Sequence, residues 1–173
     1  AGMYEKAEAV YKDALGIAGK VFGKNSADYA TAINNLAVTK EKLEKYEEAE
    51  KLYLECLELK AKVWSKESNY YAYTLSNLAV VYDNMGRYDE AQKLLEESLE
   101  IYRKVYGAEH PNYATALSNL ASTYITTGKY KQATELLTEA MTINLKLYGK
   151  ENVGYINALN SLALTHEELG MYR

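Results

Sequence analysis

The residues able to do chemistry in this chain are few, and they are not spaced for catalysis. Of its two histidines, His110 precedes the single proline, Pro111, at an expected helix start, and His166 stands in a different segment. No Cys-x-x-Cys, His-Glu-x-x-His or Gly-x-x-x-x-Gly-Lys-Ser/Thr pattern occurs. Zinc held by paired ligands and phosphate cradled by a glycine loop therefore both lack their residues. Carboxylates are numerous, as at Glu47, Glu48, Asp89 and Glu90, but they recur just inside expected helix starts, where they stabilise the N-terminus and solubilise the surface. The chemistry that does repeat is that of the side-chain amide. Asn35, Asn77 and Asn119 recur at a spacing of 42 residues, and each offers a donor together with an acceptor, the combination that pairs with the amide and carbonyl of an extended peptide whatever its side chains. Peptide recognition is one expectation for these amides, the other being that they bond to the neighbouring helix and keep the repeats in register; no catalytic residue, metal or cofactor is expected.

The same spacing runs through the chain and defines the elements that must carry the amides. It aligns Leu36, Leu78, Leu120 and Leu162, each followed by alanine: Ala37, Ala79, Ala121 and Ala163. Tyr4, Tyr46, Tyr88, Tyr130 and Tyr172 form another column, and Phe22, Trp64, Tyr106 and Tyr148 a third. Gly23, Gly107 and Gly149 after the third column predict helix ends, because glycine takes the left-handed conformation at low cost. Ser65 departs from that rule, as does Glu44 in the column of Gly86, Gly128 and Gly170. Lys20, Lys62, Lys104 and Lys146 are expected in last helical turns, facing the negative end of the macrodipole.

Leu75, Leu78, Ala79 and Tyr82 fall at i, i+3, i+4 and i+7, an apolar stripe on one helix, and Tyr88, Ala91, Leu94, Leu95, Leu99 and Ile101 make a broader one on the next. A pair of such helices cannot bury both stripes alone, so neighbouring pairs must stack. The expected fold is all-α, an α-solenoid of tandem helix-turn-helix units with about eight helices. A single array over 1–173 is expected: a lone second helix at about 3–22, units at about 27–65, 69–107 and 111–149, and a lone first helix at about 153–170. The opening in mid-pattern suggests a fragment of a longer chain.

Composition narrows the partners. The net charge is −4, with 20 basic and 24 acidic residues interleaved along the chain, which argues against nucleic acid. Apolar runs fall far short of bilayer length, so membrane insertion is not expected. The single cysteine, Cys56, shares a column with Ala14, Ser98 and Ala140 and is expected as a core spacer; with no Asn-x-Ser/Thr acceptor present, a reducing, cytoplasmic setting fits. The 18 tyrosines mostly occupy repeat columns where a large ring fills space between helices.

The pattern Asn-Leu-Ala-x-x-Tyr-x-x-x-Gly-x-Tyr-x-x-Ala resembles the tetratricopeptide repeat, and "GAEHPNYATALSNLASTY" leading into "GKYKQATELLTEAM" looks like the 42-residue repeats of kinesin light chains and their relatives. That resemblance implies a superhelix whose first helices line a concave, peptide-binding face. It assigns to that face Asn34, Asn35, Tyr73, Asn77, Val80, Ser118, Asn119, Ser122, Asn157 and Asn160, with Thr31, Val38, Ser76, Thr115, Ser161 and Leu164 beside them. None of these positions is basic, so a carboxylate clamp is not expected, although Lys40 and Lys42 lie near one end. The function implied is a non-enzymatic scaffold that binds a protein or peptide partner, extending to a cargo adaptor of the kinesin light chain type. The alternative is an assembly module that stacks end to end, with weak head-to-tail self-association.

Overall fold

The structure is a computed structural model that describes residues 2–170; Tyr172 of the tyrosine column lies outside them. Eight α-helices and no strand occur among the described residues: α1 (Gly2–Val21), α2 (Ala27–Lys42), α3 (Tyr46–Val63), α4 (Asn69–Asn84), α5 (Tyr88–Tyr106), α6 (Pro111–Thr126), α7 (Tyr130–Tyr148) and α8 (Val153–Glu168). They group into two compact units, residues 1–87 with α1–α4 and residues 88–173 with α5–α8.

Helix starts are written in the side chains. Ser26, Ser68 and Asn152 cap α2, α4 and α8 by accepting from the backbone N–H of Tyr29, Tyr71 and Tyr155, each at 3.2 Å. At α6 the cap is His110, whose Nδ1 accepts from Asn112 N at 3.1 Å, with Pro111 in the first turn where its missing N–H costs nothing.

Helix ends repeat a second device. After α2, α4 and α6 the N–H of Lys45, Arg87 and Lys129 reaches back five residues to the carbonyls of Lys40, Tyr82 and Tyr124. The intervening residue turns left-handed: Gly86 at φ 75°, Gly128 at 73° and Glu44 at 57°. After α3 the turn falls on Ser65, at φ 106°, where the equivalent Gly23, Gly107 and Gly149 lie near 80°. A side chain is strained there, so Ser65→Gly is expected to stabilise the chain by about 1 kcal/mol in urea unfolding; an unchanged or lower midpoint would show that the turn tolerates its Cβ.

The same three residues that close the turns also latch neighbouring helices. Lys45 Nζ reaches Glu8 Oε2 at 3.0 Å, Arg87 reaches Glu50 at 2.7 Å, and Lys129 Nζ reaches Gln92 Oε1 at 2.7 Å, always across 37 residues. Arg87 also lies over the Tyr82 ring at 4.0 Å, and Lys129 over Tyr124 at 5.3 Å.

The apolar columns form the core of each unit. In the first, Ala30, Ile33, Cys56 and Leu59 cluster with Leu15, Tyr29, Leu52, Val63 and Trp64 packed around them. Tyr53 is wholly enclosed, its hydroxyl donating to Glu41 Oε2 at 3.1 Å. Small residues let helices approach: Cys56 is buried, 3.4 Å from the Ala30 carbonyl, and burial pushes its thiol up, away from the reactive thiolate. In the second unit Leu117, Leu120, Leu137, Ala121 and Ala140 occupy the equivalent columns, all buried.

Candidate functional site

The face formed by the first helices is best followed one unit at a time. On α2 and α4, Asn35, Asn77 and Val80 are half-buried and Tyr73 is 49% exposed, so these four stand at the boundary between core and solvent. The Nδ2 of Asn77 is enclosed and holds no hydrogen-bond partner among the described residues. An amide donor in that state is the exception in folded chains.

Asn34 departs from the expectation. It is buried, and its Oδ1 accepts from Thr74 Oγ1 at 3.3 Å and from Lys60 Nζ at 3.4 Å, which ties α2, α3 and α4 in register. Its amide is thus committed to the fold, and the neighbouring Ser76 is buried as well. The physical reason is position: residue 34 is next to Ile33, on the flank of the helix that α3 and α4 cover.

Lys60 is the residue that the first-helix pattern did not reveal. It comes from α3, is only 4% exposed, and donates to Thr74 Oγ1 at 2.8 Å, to the Tyr70 carbonyl at 3.2 Å and to Asn34. All three acceptors are neutral, and burial holds the ammonium below its ordinary value. Its Nζ lies 5.8 Å from the centroid of the Tyr73 ring, so a cation sits under the most exposed aromatic of this face. One signal in the sequence could have found it: Lys60 follows Cys56 by one helical turn and adjoins Leu59, which places it on the buried side of α3.

In the second unit the structure brings Ser118 and Ser122 of α6 together with Asn157 and Ser161 of α8 around a cavity of about 90 Å³, floored by Ile125, Leu137 and Ala158. Asn119 is half-buried beside it and Asn160 is exposed. The Ser118 hydroxyl donates to the Ala114 carbonyl at 3.1 Å, which leaves its oxygen to accept. The cavity has room for a small side chain or a few waters and no more.

The basic residues expected near one end of the face are spent elsewhere. Lys40 occupies the column of Tyr82 and Tyr124 and is buried; its ammonium meets Glu8 Oε1 at 2.8 Å and also pairs with Glu48. Lys42 pairs with Glu41 at 2.8 Å. Glu8 collects Lys12, Lys40 and Lys45, and these hydrogen bonds hold its carboxyl far below the usual carboxylate range. Neither histidine joins a cluster: His110 is a cap stacked on Tyr106 with centroids 3.9 Å apart, and His166 has an enclosed Nδ1 without a partner. No group of three His, Cys, Asp or Glu residues is placed to hold a metal ion among the described residues, and no helix of the described chain is long and apolar enough to cross a membrane.

Helix pairs repeated at 42 residues, with caps, left-handed turns and cross-helix latches recurring at equivalent positions, define an α-helical repeat protein of the solenoid class. The chain belongs to the tetratricopeptide repeat family, whose model matches residues 1–62 and 70–146. Proteins of this family generally mediate protein–protein interactions. Solved structures show the same fold. A kinesin light chain-like protein of nearly identical repeats from Podosopora anserina aligns over 98% of this chain and 80% of its own, with 24% identity and a TM-score of 0.82. BtubC (BKLC) from P. vanneervenii aligns over 98% of this chain and 67% of its own, with 20% identity and a TM-score of 0.87. A comparison with curated protein sequences gave no significant match.

Proposed function

We propose that the chain is a non-enzymatic scaffold that holds an extended peptide or a partner helix against the face of its first helices. The observation that carries this reading is the amide column: Asn35, Asn77 and Asn119 stay half-exposed beside columns that are buried, and the Asn77 donor has no acceptor among the described residues. Rotation of that side chain would offer the donor to a peptide carbonyl, while Tyr73 and Val80 supply apolar contact. The likeness to kinesin light chain-like repeats supports a finer version, an adaptor that carries a protein cargo. A single, buried thiol suits a reducing, cytoplasmic compartment for it.

The test is a peptide-array screen followed by anisotropy titration of the best binder. Asn77→Ala combined with Asn119→Ala is expected to weaken binding at least about tenfold, the worth of two modest hydrogen bonds, with helicity and melting temperature nearly unchanged. Binding should vary little between low and physiological salt, because Lys60 is enclosed by neutral oxygens and none of the residues assigned to the face is ionic. If the double variant unfolds and residual binding follows the folded fraction, the asparagines are structural and the reading falls.

A specific observation favours a second reading, head-to-tail assembly. On α8, Ile156 and Leu159 are exposed, whereas their equivalents Ala114 and Leu117 on α6 are buried. On α1, Val10, Ile17 and Val21 are exposed, whereas Leu59, the α3 equivalent of Ile17, is buried. Two such faces on different copies complement each other as internal helices do. Sedimentation should then show mostly monomer in dilute solution and larger species as concentration rises; a monomer that persists at millimolar protein removes this reading.

A further inference from the structure

The flank of α1 carries a cavity beside Tyr29. It has a volume of about 440 Å³ and is lined by Leu15, Gly16, Gly19 and Tyr29, with Lys12, Lys20 and Lys24 around them. The cause is two glycines. At the columns of Gly16 and Gly19 the later second helices carry Glu58 and Ala61, Glu100 and Arg103, and Thr142 and Leu145. Gly16 has open space beside it, and a Cβ at Gly19 would stand 3.2 Å from Tyr29 Cε2, so the ring packs directly on the bare Gly19 backbone while the missing side chain at Gly16 leaves the hollow open. Accordingly Tyr29 remains half-buried where its counterparts Tyr71 and Tyr113 are buried.

The cavity's own lining is charged by lysines alone, while a smaller hollow of about 160 Å³ that shares Lys24 and Tyr29 is also lined by Glu55 and Glu58. Lys12 is engaged by Glu8, but no ion pair is formed by Lys20 or Lys24 among the described residues, and no carboxylate lines the cavity. At 100° per residue, Gly16 and Gly19 lie on the side of α1 roughly opposite the exposed Val10, Ile17 and Val21. The equivalent flank of α3 is solvent-facing at Leu54, Glu58 and Lys62, although helices pack on both sides of α3. The hollow is therefore not a seat that the repeat architecture fills with another helix.

We propose that this cavity is a binding site for a small aromatic anion, a fused or single ring bearing one sulfonate, carboxylate or phosphate. The volume falls within the range of small-molecule pockets. Leu15, the glycine backbone and the Tyr29 ring receive the flat apolar body, and Lys20 and Lys24 meet the anionic group at the rim, where a cation on a flexible stem can follow it. The site is separate from the amide face of the first helices.

An amide-resolved NMR titration of the 173-residue chain with naphthalenesulfonate tests this, with neutral naphthalenemethanol as the comparison. The proposal expects saturable shifts centred on Gly16, Gly19, Lys24 and Tyr29. Naphthalenemethanol should bind several-fold more weakly, and Lys20→Gln with Lys24→Gln should lower the sulfonate affinity by roughly fivefold while leaving these exposed positions folded. Filling the hollow with the α7 residues, Gly16→Thr and Gly19→Leu, should lower it by at least about tenfold. Shifts centred on Val10 and Ile17, equal binding of the neutral compound, or undiminished binding in the lysine variant would each overturn the assignment.

Discussion

Replacing Leu78 by alanine lowers the unfolding free energy by about 2–5 kcal/mol, and Leu120→Ala does the same, the usual range for emptying a buried leucine site. Both side chains are nearly inaccessible, at 1% and 3% exposed, and both belong to the column that every first helix turns inward. Each substitution removes apolar surface from water-free packing and leaves a void that the flanking Ala79 or Ala121, whose methyl has no rotamer to swing, is unable to fill. Urea unfolding followed by helicity reads the loss directly. Near-neutral values at both positions would mean that the leucine column does not hold the helices together, and would undo the packing scheme on which the face of amides depends.

Glu8→Gln is the second large effect, expected at about 2–4 kcal/mol near neutral pH, at or below the loss typical of breaking a buried ion pair. The variant keeps the shape but takes the negative charge from between Lys12, Lys40 and Lys45, of which Lys40 is buried and the other two are half in water. Lys40 then retains Glu48 alone. The pH dependence has a definite sign. The folded chain holds the Glu8 carboxyl well below its ordinary value near 4.5, so the unfolded chain binds the proton first and the contribution is present above that value. It is lost as pH falls through the acid range toward the depressed folded value. The stability gap between wild type and Glu8→Gln should accordingly be flat near neutrality and narrow below about pH 4.5, and a gap that is independent of pH would show that Glu8 acts through packing and not through its charge.

The eight helices were legible because independent signals coincide: an apolar stripe of helical period and a left-handed stop residue recur along the chain, and α2, α4, α6 and α8 add a capping side chain. Tandem repetition then multiplied each signal. The site was less legible, for a physical reason. A helical wheel places Asn34 and Asn35 on neighbouring arcs but does not say where the next helix ends its cover, and one position separates a committed amide from a half-exposed one. Lys60 and Lys40 were missed as buried groups because charge in a sequence is read as surface, whereas here Thr74, Tyr70 and Asn34 enclose one ammonium and Glu8 and Glu48 the other. The cavity at Gly16 and Gly19 left a trace in the alignment of the chain with itself, since two columns lose their side chains in α1 alone.

The latches carry a consequence for how such a chain can grow. Glu8 and Lys45, Glu50 and Arg87, and Gln92 and Lys129 all lie within consecutive segments that begin at the tyrosines 4, 46 and 88 and end at the basic residue closing the turn. A gene duplication with breakpoints between Lys45 and Tyr46 or between Arg87 and Tyr88 copies both halves of a latch together. Breakpoints falling between the second helix and the first helix that follows it would part the two halves and leave each new junction to find its pairing among foreign side chains. Inheritance by duplication thus favours one reading frame of the array over the others, and the boundary between the two compact units, after Arg87, falls in that frame.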